Sequence, residues 1–178
     1  MQSSFRVCLS KVKLFMSFTP SVIDIEASGF GSRSYPIEVG IVTADGSRYC
    51  RLIKPYEDWD FWDGSAENIH GISRDLLLSK GVSGQKVCHE LNKLFTKQTL
   101  YCDGWSVDYP WMIRLFEHAH VAMDFRISAI ELILQEEHLI QWASKKSQVQ
   151  KQLQLKRHRA SNDAEIIQKT YLALVQNP

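Results

Sequence analysis

Apolar and polar positions alternate along the first third of the chain. From Val22 to Ala27 the sequence reads Val-Ile-Asp-Ile-Glu-Ala and stops at Ser28-Gly29, which predicts a strand with β-branched residues on it. Behind Pro36, the alternation of Ile37, Val39 and Ile41 predicts a second strand over 37–43. Ala44-Asp45-Gly46-Ser47 has the chemistry of an Asp-Gly turn, and 47–54 returns as a third strand. Connections this short make the three an antiparallel meander. Residues 55–64, rich in turn formers and in the aromatics Trp59, Phe61 and Trp62, read as a surface loop.

The period then changes. Val87, Leu91, Leu94 and Phe95 recur at helical spacing over 85–97, and Thr99-Leu100-Tyr101-Cys102 reads as a strand after that helix, where the sheet turns parallel. Pro110 suits a helix first turn, and Trp111, Met112, Leu115, Phe116 and Ala119 continue an apolar stripe to about His120. Further helices are predicted over 128–142 and over 162–175, the last with Ile166, Ile167, Thr170, Tyr171 and Leu174 on one side. Strands first, then helices alternating with strands, predict an α/β fold: a mixed β-sheet flanked by helices.

Composition narrows the function classes. A chain of 178 residues favours one domain, and 44% hydrophobic with 23% charged residues excludes a disordered chain. Twenty-one Lys and Arg against twenty Asp and Glu leave +1, so affinity for a nucleic acid must be local. Cys8, Cys50, Cys88 and Cys102 form no Cys-x-x-Cys pair, which argues against a zinc knuckle and for free thiols in a reducing, cytoplasmic setting. No apolar run reaches the ~20 residues of a membrane span, so no membrane partner is expected. Residues 1–19 carry Arg6, Lys11 and Lys13 and no acid, superficially like a transit peptide. Met16 offers a second start, so 1–19 is read as an arm or mis-assigned start ahead of a domain over 20–178.

Three places could carry chemistry. Asp24 and Glu26, two apart on a strand, project to one face about 6.6 Å apart while Ile23 and Ile25 face a core. Two anions on an otherwise apolar strand fit a divalent cation between them, or a solvent-facing polar stripe. Asp108 precedes the Tyr109-Pro110 helix start, where a carboxylate can be an N-cap, yet it also follows the carboxyl end of a strand, a usual place for α/β sites. Asp103 competes with it, but Asp103-Gly104 has turn chemistry. Asn162 with Glu165 resembles a capping box, which puts Asp163 in a helix first turn and His158 in the loop before it. An imidazole there is suited to take a proton from water, or is an exposed histidine beside a capped helix.

Taken together, the order Asp-x-Glu, Asp, His-x4-Asp resembles the DEDDh family of 3′ to 5′ exonucleases, over about residues 20–175. The segments Val22 to Gly29, Ile69-His70-Gly71-Ile72 and His158-Arg159-Ala160 resemble its motifs. Before Asp108 the text departs from the family, with Cys102-Asp103-Gly104-Trp105-Ser106-Val107, and Ala27 stands where a Thr is usual. The resemblance implies a ribonuclease H-like fold, with Asp24, Glu26, Asp108 and Asp163 holding two Mg²⁺ or Mn²⁺ ions and His158 as general base. It implies the 3′ end of single-stranded DNA or RNA as partner, gripped by the Ala27 backbone, the Phe30 ring and His70. From His138 to Asn162 there is no acid, and Lys145, Lys146, Lys151, Lys156, Arg157 and Arg159 could track phosphates. A catalytically silent nucleic-acid-binding module with the same fold is the alternative. The choice of DNA or RNA and the oligomeric state are not legible in the chain.

Overall fold

The computed structural model describes residues 18–175. The expected arm, with Met16 and Cys8, therefore lies outside the described residues except for its last two. Of these, Phe18 sets its ring edge-on to Tyr101 and Tyr171.

Strands β1 (Val22–Ala27), β2 (Pro36–Val42) and β3 (Arg48–Lys54) form the expected antiparallel meander. Helices α1 (Gly64–His70) and α2 (Arg74–Lys80), the short β4 (Val82–Ser83) and α3 (Gly84–Phe95) lead to β5 (Thr99–Cys102) and α4 (Trp105–His118). Then come β6 (Arg126–Ala129), a 3-10 turn at Ile130–Ile133, α5 (Glu136–Leu153) and α6 (Ala160–Val175). The six strands lie in the order β4-β3-β2-β1-β5-β6, with β5 parallel to both β1 and β6. This is the mixed sheet between helices that the pattern predicts.

Three local expectations change here, and two short helices are added. The 55–64 segment is not all surface, because Trp59 is 1% exposed and stacks on Tyr35 with ring centroids 4.8 Å apart. Helices α1 and α2 have seven residues each, too few for a period to show. They are set by their caps: Asp63 accepts from the Ser65 amide, Ser73 accepts from the Leu76 amide, and Gly71 takes the left-handed conformation between them. Helix α4 begins at Trp105, so Asp108 lies inside its first turn rather than at an N-cap, and Pro110 stands within the helix. The predicted helix over 128–142 is instead strand, 3-10 turn and helix. Ile127 and Ile130 are buried but Leu132 and Ile140 are exposed, so one helical stripe cannot carry them.

The sheet has two different faces. Ile23, Ile25, Ile37, Val39 and Ile41 join Val87, Leu91, Met112 and Leu115 in the large core beside α3 and α4. Residues directly opposite on antiparallel strands share a face, so the other face of β1 and β2 reads Val22/Val42, Asp24/Gly40, Glu26/Glu38. Its apolar end meets Ala164, Ile167 and Tyr171 of α6. At Gly40 helix and strand nearly touch: a Cβ there would lie 2.0 Å from the Ser161 nitrogen. Helix α6 begins two residues before Asn162, which is no cap. Its Oδ1 accepts from Arg48, its Nδ2 donates to the Lys156 carbonyl, and Glu165 pairs with Arg48.

This contact gives a stability test. Gly40→Ala forces α6 away from β2, an overpacking that costs about 1–3 kcal/mol. Thermal melting should drop by roughly 2–12 °C for a domain of this size. An unchanged midpoint would mean that α6 does not rest on the sheet at this point.

Candidate active site

β1 and β5 run parallel, so their carboxyl ends open on the same edge of the sheet. A bulge follows Glu26, where the pairing slips by one residue between Glu26 and Ala27. After the slip Ala27 still pairs with Pro36 and the Ser28 amide donates to the Tyr35 carbonyl, and the chain then turns into the Gly29–Phe30 segment. α4 leaves β5 beside this end, and the start of α6 crosses it from the other face.

These elements enclose a cavity of about 270 Å³. It is lined by Asp24 and Glu26 from β1, Asp108 from α4, His158 from the loop before α6, and Asp163 from α6. Ala27 and Phe30 line it as well. Seven of the eight residues singled out in the sequence therefore meet at one cleft. The eighth, His70, does not line it: it is 2% exposed and its Nδ1 accepts the Ile72 amide at 3.0 Å, which holds the turn after α1. Its neighbours Ala66 and Ile69 face the cleft instead.

One side of the cavity is strongly anionic. A side-chain nitrogen of His158 and oxygens of Glu26 and Asp163 all lie within 4.8 Å of one another. The Asp163 carboxylate accepts the His158 backbone amide at 2.8 Å. Burial, then the charges of Asp108, Glu26 and Asp163, hold the Asp24 carboxyl well above the ordinary range. Burial and then Asp163 and Glu38 push Glu26 up to about 8, and burial and then Asp103 push Asp108 up to about 7. Desolvation is thus the first cause of the crowding penalty, with mutual repulsion added to it.

Two cations border the acids. Lys146 of α5 lines the cleft and is ion-paired with Asp103, the acid that competes with Asp108 in the sequence. Arg157 lies 3.9 Å from Asp163. Arg159 is turned away to Glu38. Of the six basic residues in the acid-free stretch, Lys146 and Arg157 reach the cleft. The remaining wall is apolar: Phe30 is 71% exposed with its ring 6.1 Å from that of Trp111, and Ile69 is 54% exposed. Ile69 and Trp111 were not singled out as site residues in the sequence, where Ile69 stands in the Ile69-His70-Gly71-Ile72 segment and Trp111 in the apolar stripe of α4.

The donor set fits hard divalent cations. Four carboxylates from three distant segments share one hollow, the protonated forms of Asp24, Glu26 and Asp108 are favoured there without a counter-charge, and oxygen ligands suit Mg²⁺ or Mn²⁺.

No protein-family model and no curated protein matches the chain. Solved structures do. It is similar to the zinc-bound complex of Escherichia coli exonuclease I with single-stranded DNA, with a TM-score of 0.66 and 12% identity over 90% of this chain and 42% of that one. The complex of E. coli exonuclease I with a dA16 oligonucleotide gives 0.64 and 13% over 90% and 42%. A moderately thermophilic exonuclease I from Methylocaldum szegediense gives 0.53 and 13% over 70% and 29%. The fold, a six-stranded mixed sheet flanked by helices, is the ribonuclease H-like fold found in part of exonuclease I. The chain spans about two fifths of the length of the E. coli proteins it resembles. Among the described residues no helix is long and apolar enough to cross a membrane.

Proposed function

We propose that this chain is a metal-dependent 3′ to 5′ exonuclease that hydrolyses single-stranded DNA or RNA and releases nucleoside 5′-monophosphates. The observation that carries this reading is the meeting of Asp24, Glu26, Asp108, Asp163 and His158 in one open cleft. Asp24, Glu26, Asp108 and Asp163 would hold two Mg²⁺ or Mn²⁺ ions. Such ions, when bound, stabilise the attacking and leaving oxygens of an in-line displacement.

The chain's own groups supply the rest. His158 takes the proton of the attacking water on the ring nitrogen that faces Glu26 and Asp163. Asp163 keeps the histidine in place by holding its backbone amide. Phe30 and Ile69 offer an apolar surface to the terminal base, and the Ala27 backbone lies beside it. Lys146 and Arg157 meet the phosphates.

Loss of the Phe30 ring removes a stacking surface worth about 1–3 kcal/mol, so Phe30→Ala raises KM by roughly 5- to 150-fold with little change in kcat. An unaltered KM would take Phe30 out of the substrate path. The activity itself is tested with matched DNA and RNA single strands, each labelled once at the 5′ and once at the 3′ end, in Mg²⁺ and in Mn²⁺. Early release of a labelled monophosphate from the 3′ end supports the reading. Tight binding without cleavage in both metals would assign the chain as a silent nucleic-acid-binding module.

A further inference from the structure

Glu38 is a carboxylate buried in the interior of the fold. It stands in the middle of β2, whose seven residues are all buried, and is itself 0% exposed. Leaving such a group there is costly unless every bond it can make is made. Its Oε1 accepts from Arg159 Nη2 at 2.6 Å, and both its oxygens accept from Arg159 Nε at 3.1 Å. Oε2 also accepts the Ala160 amide, the first N–H of α6, at 2.9 Å, and the Cys50 thiol donates to Oε1 at 3.4 Å.

The residue before Arg159 is His158, with φ of 58°, a left-handed conformation that is uncommon for a side chain of its size. Its own amide is held by Asp163 on one side, and the next two residues are held by Glu38 on the other. We infer that Glu38 is a positioning residue, which fixes the left-handed turn at His158 through Arg159 and the Ala160 amide and so aims the imidazole into the cleft. This rests on the exonuclease reading for its consequence in catalysis, but not for the anchoring itself. It also gives Arg159 a role other than contact with phosphate. Glu38 is fully buried while the Arg159 side chain stays 38% exposed; an ion pair drawn out of water in this way is often replaceable by apolar side chains without loss of stability, so its presence is explained by the geometry it imposes.

The test uses that property. In Glu38→Met/Arg159→Met the pair becomes apolar and the fold should persist, with a melting midpoint no lower than that of the single variant Arg159→Met. On a 3′-labelled single strand kcat should fall at least about tenfold while KM stays within about twofold, because the base is misaimed and the binding surface is intact. Hydrogen exchange at the Ala160 amide should accelerate at least about tenfold, whether or not the chain cuts nucleic acid. If the double variant does not fold, Arg159→Lys carries the test: charge is kept, the fork is lost, and kcat should fall several-fold at constant KM. Wild-type kcat together with wild-type exchange at Ala160 would overturn the inference, and so would a rise in KM at constant kcat, which would make Arg159 a substrate contact. Absence of nuclease activity in the unaltered protein would refute the exonuclease reading alone, since the exchange measurement still decides whether Glu38 anchors the turn.

Discussion

Asp24→Asn should abolish nuclease turnover and at the same time make the metal-free protein harder to melt. The two effects come from one cause. Asp24 sits among Asp108, Glu26, Asp163 and Asp103 in a desolvated position, and its carboxyl is held far above its ordinary range. The neutral amide has nearly the same shape and removes the repulsion, so the metal-free midpoint should rise by about 2–4 °C, the equivalent of about 1 kcal/mol. On the proposed reading the same change takes a ligand from the metal site, and the rate should fall by at least about 10³-fold, as when a preorganised group that meets developing charge is lost. A substitution that merely damaged the fold would lower both quantities. Activity assays and melting curves on one preparation therefore decide the matter, and a lower midpoint or a rate within tenfold of the unaltered protein would contradict this account of Asp24.

The second large effect is on pH dependence without metal. Glu26 ordinarily titrates near 4.5 and is pushed to about 8 in the fold, and Asp108 moves from 3.8 to about 7. Between those values the folded chain holds protons that the unfolded chain has released. Stability contributed by these groups is therefore present at the acid end of the window and is lost as pH rises through it, up to about pH 8. Divalent ions bind the ionised carboxylates, so they compete with protons and their benefit grows over the same range. Without metal the midpoint should fall from pH 5.5 to pH 8, and the rise produced by Mg²⁺ should be larger at pH 8 than at pH 5.5. A metal-free midpoint that climbs over this interval, or a Mg²⁺ effect indifferent to pH, would show that the acids are not crowded as described.

The strands were legible because a core against one face leaves a direct trace in the alternation. Ile23 and Ile25 alternate with Asp24 and Glu26, and the structure buries the isoleucines in the large core while the acids face the cleft. Val87, Leu91 and Phe95 likewise gave α3 its core face. What failed did so for identifiable reasons. Residues 128–142 hold apolar side chains too close together to tell strand from helix, and only tertiary pairing with Thr99–Cys102 makes Arg126–Ala129 a strand. The Asn162 and Glu165 spacing has the form of a capping box, but both side chains are drawn to Arg48 of β3, a partner more than a hundred residues away. In consequence the cap of α6 comes from a different element, as Glu38.

The cleft was legible in part. Its acids and His158 could be ordered along the chain, since a strand pair, a residue after a strand and a helix first turn each restrict where a side chain can point. His70 was grouped with the groove although its ring turns inward to the Ile72 amide, and nothing in the local sequence distinguishes it from Ile69, which faces the cleft. Glu38 was passed over because it stands at a polar position between apolar ones, a pattern that ordinarily means exposure. Its meaning depends on Arg159 and Gly40, which bring α6 onto β2.

The claim on which all of this depends is that Asp24, Glu26, Asp108 and Asp163 together cage divalent ions. Anomalous diffraction from crystals soaked in Mn²⁺ tests it most directly. Two manganese peaks about 3.5–4 Å apart, ligated by oxygens of these four residues, are the result this account predicts. Full occupancy of manganese elsewhere on the molecule, with the cleft between β1, α4 and α6 left without a peak, would contradict it.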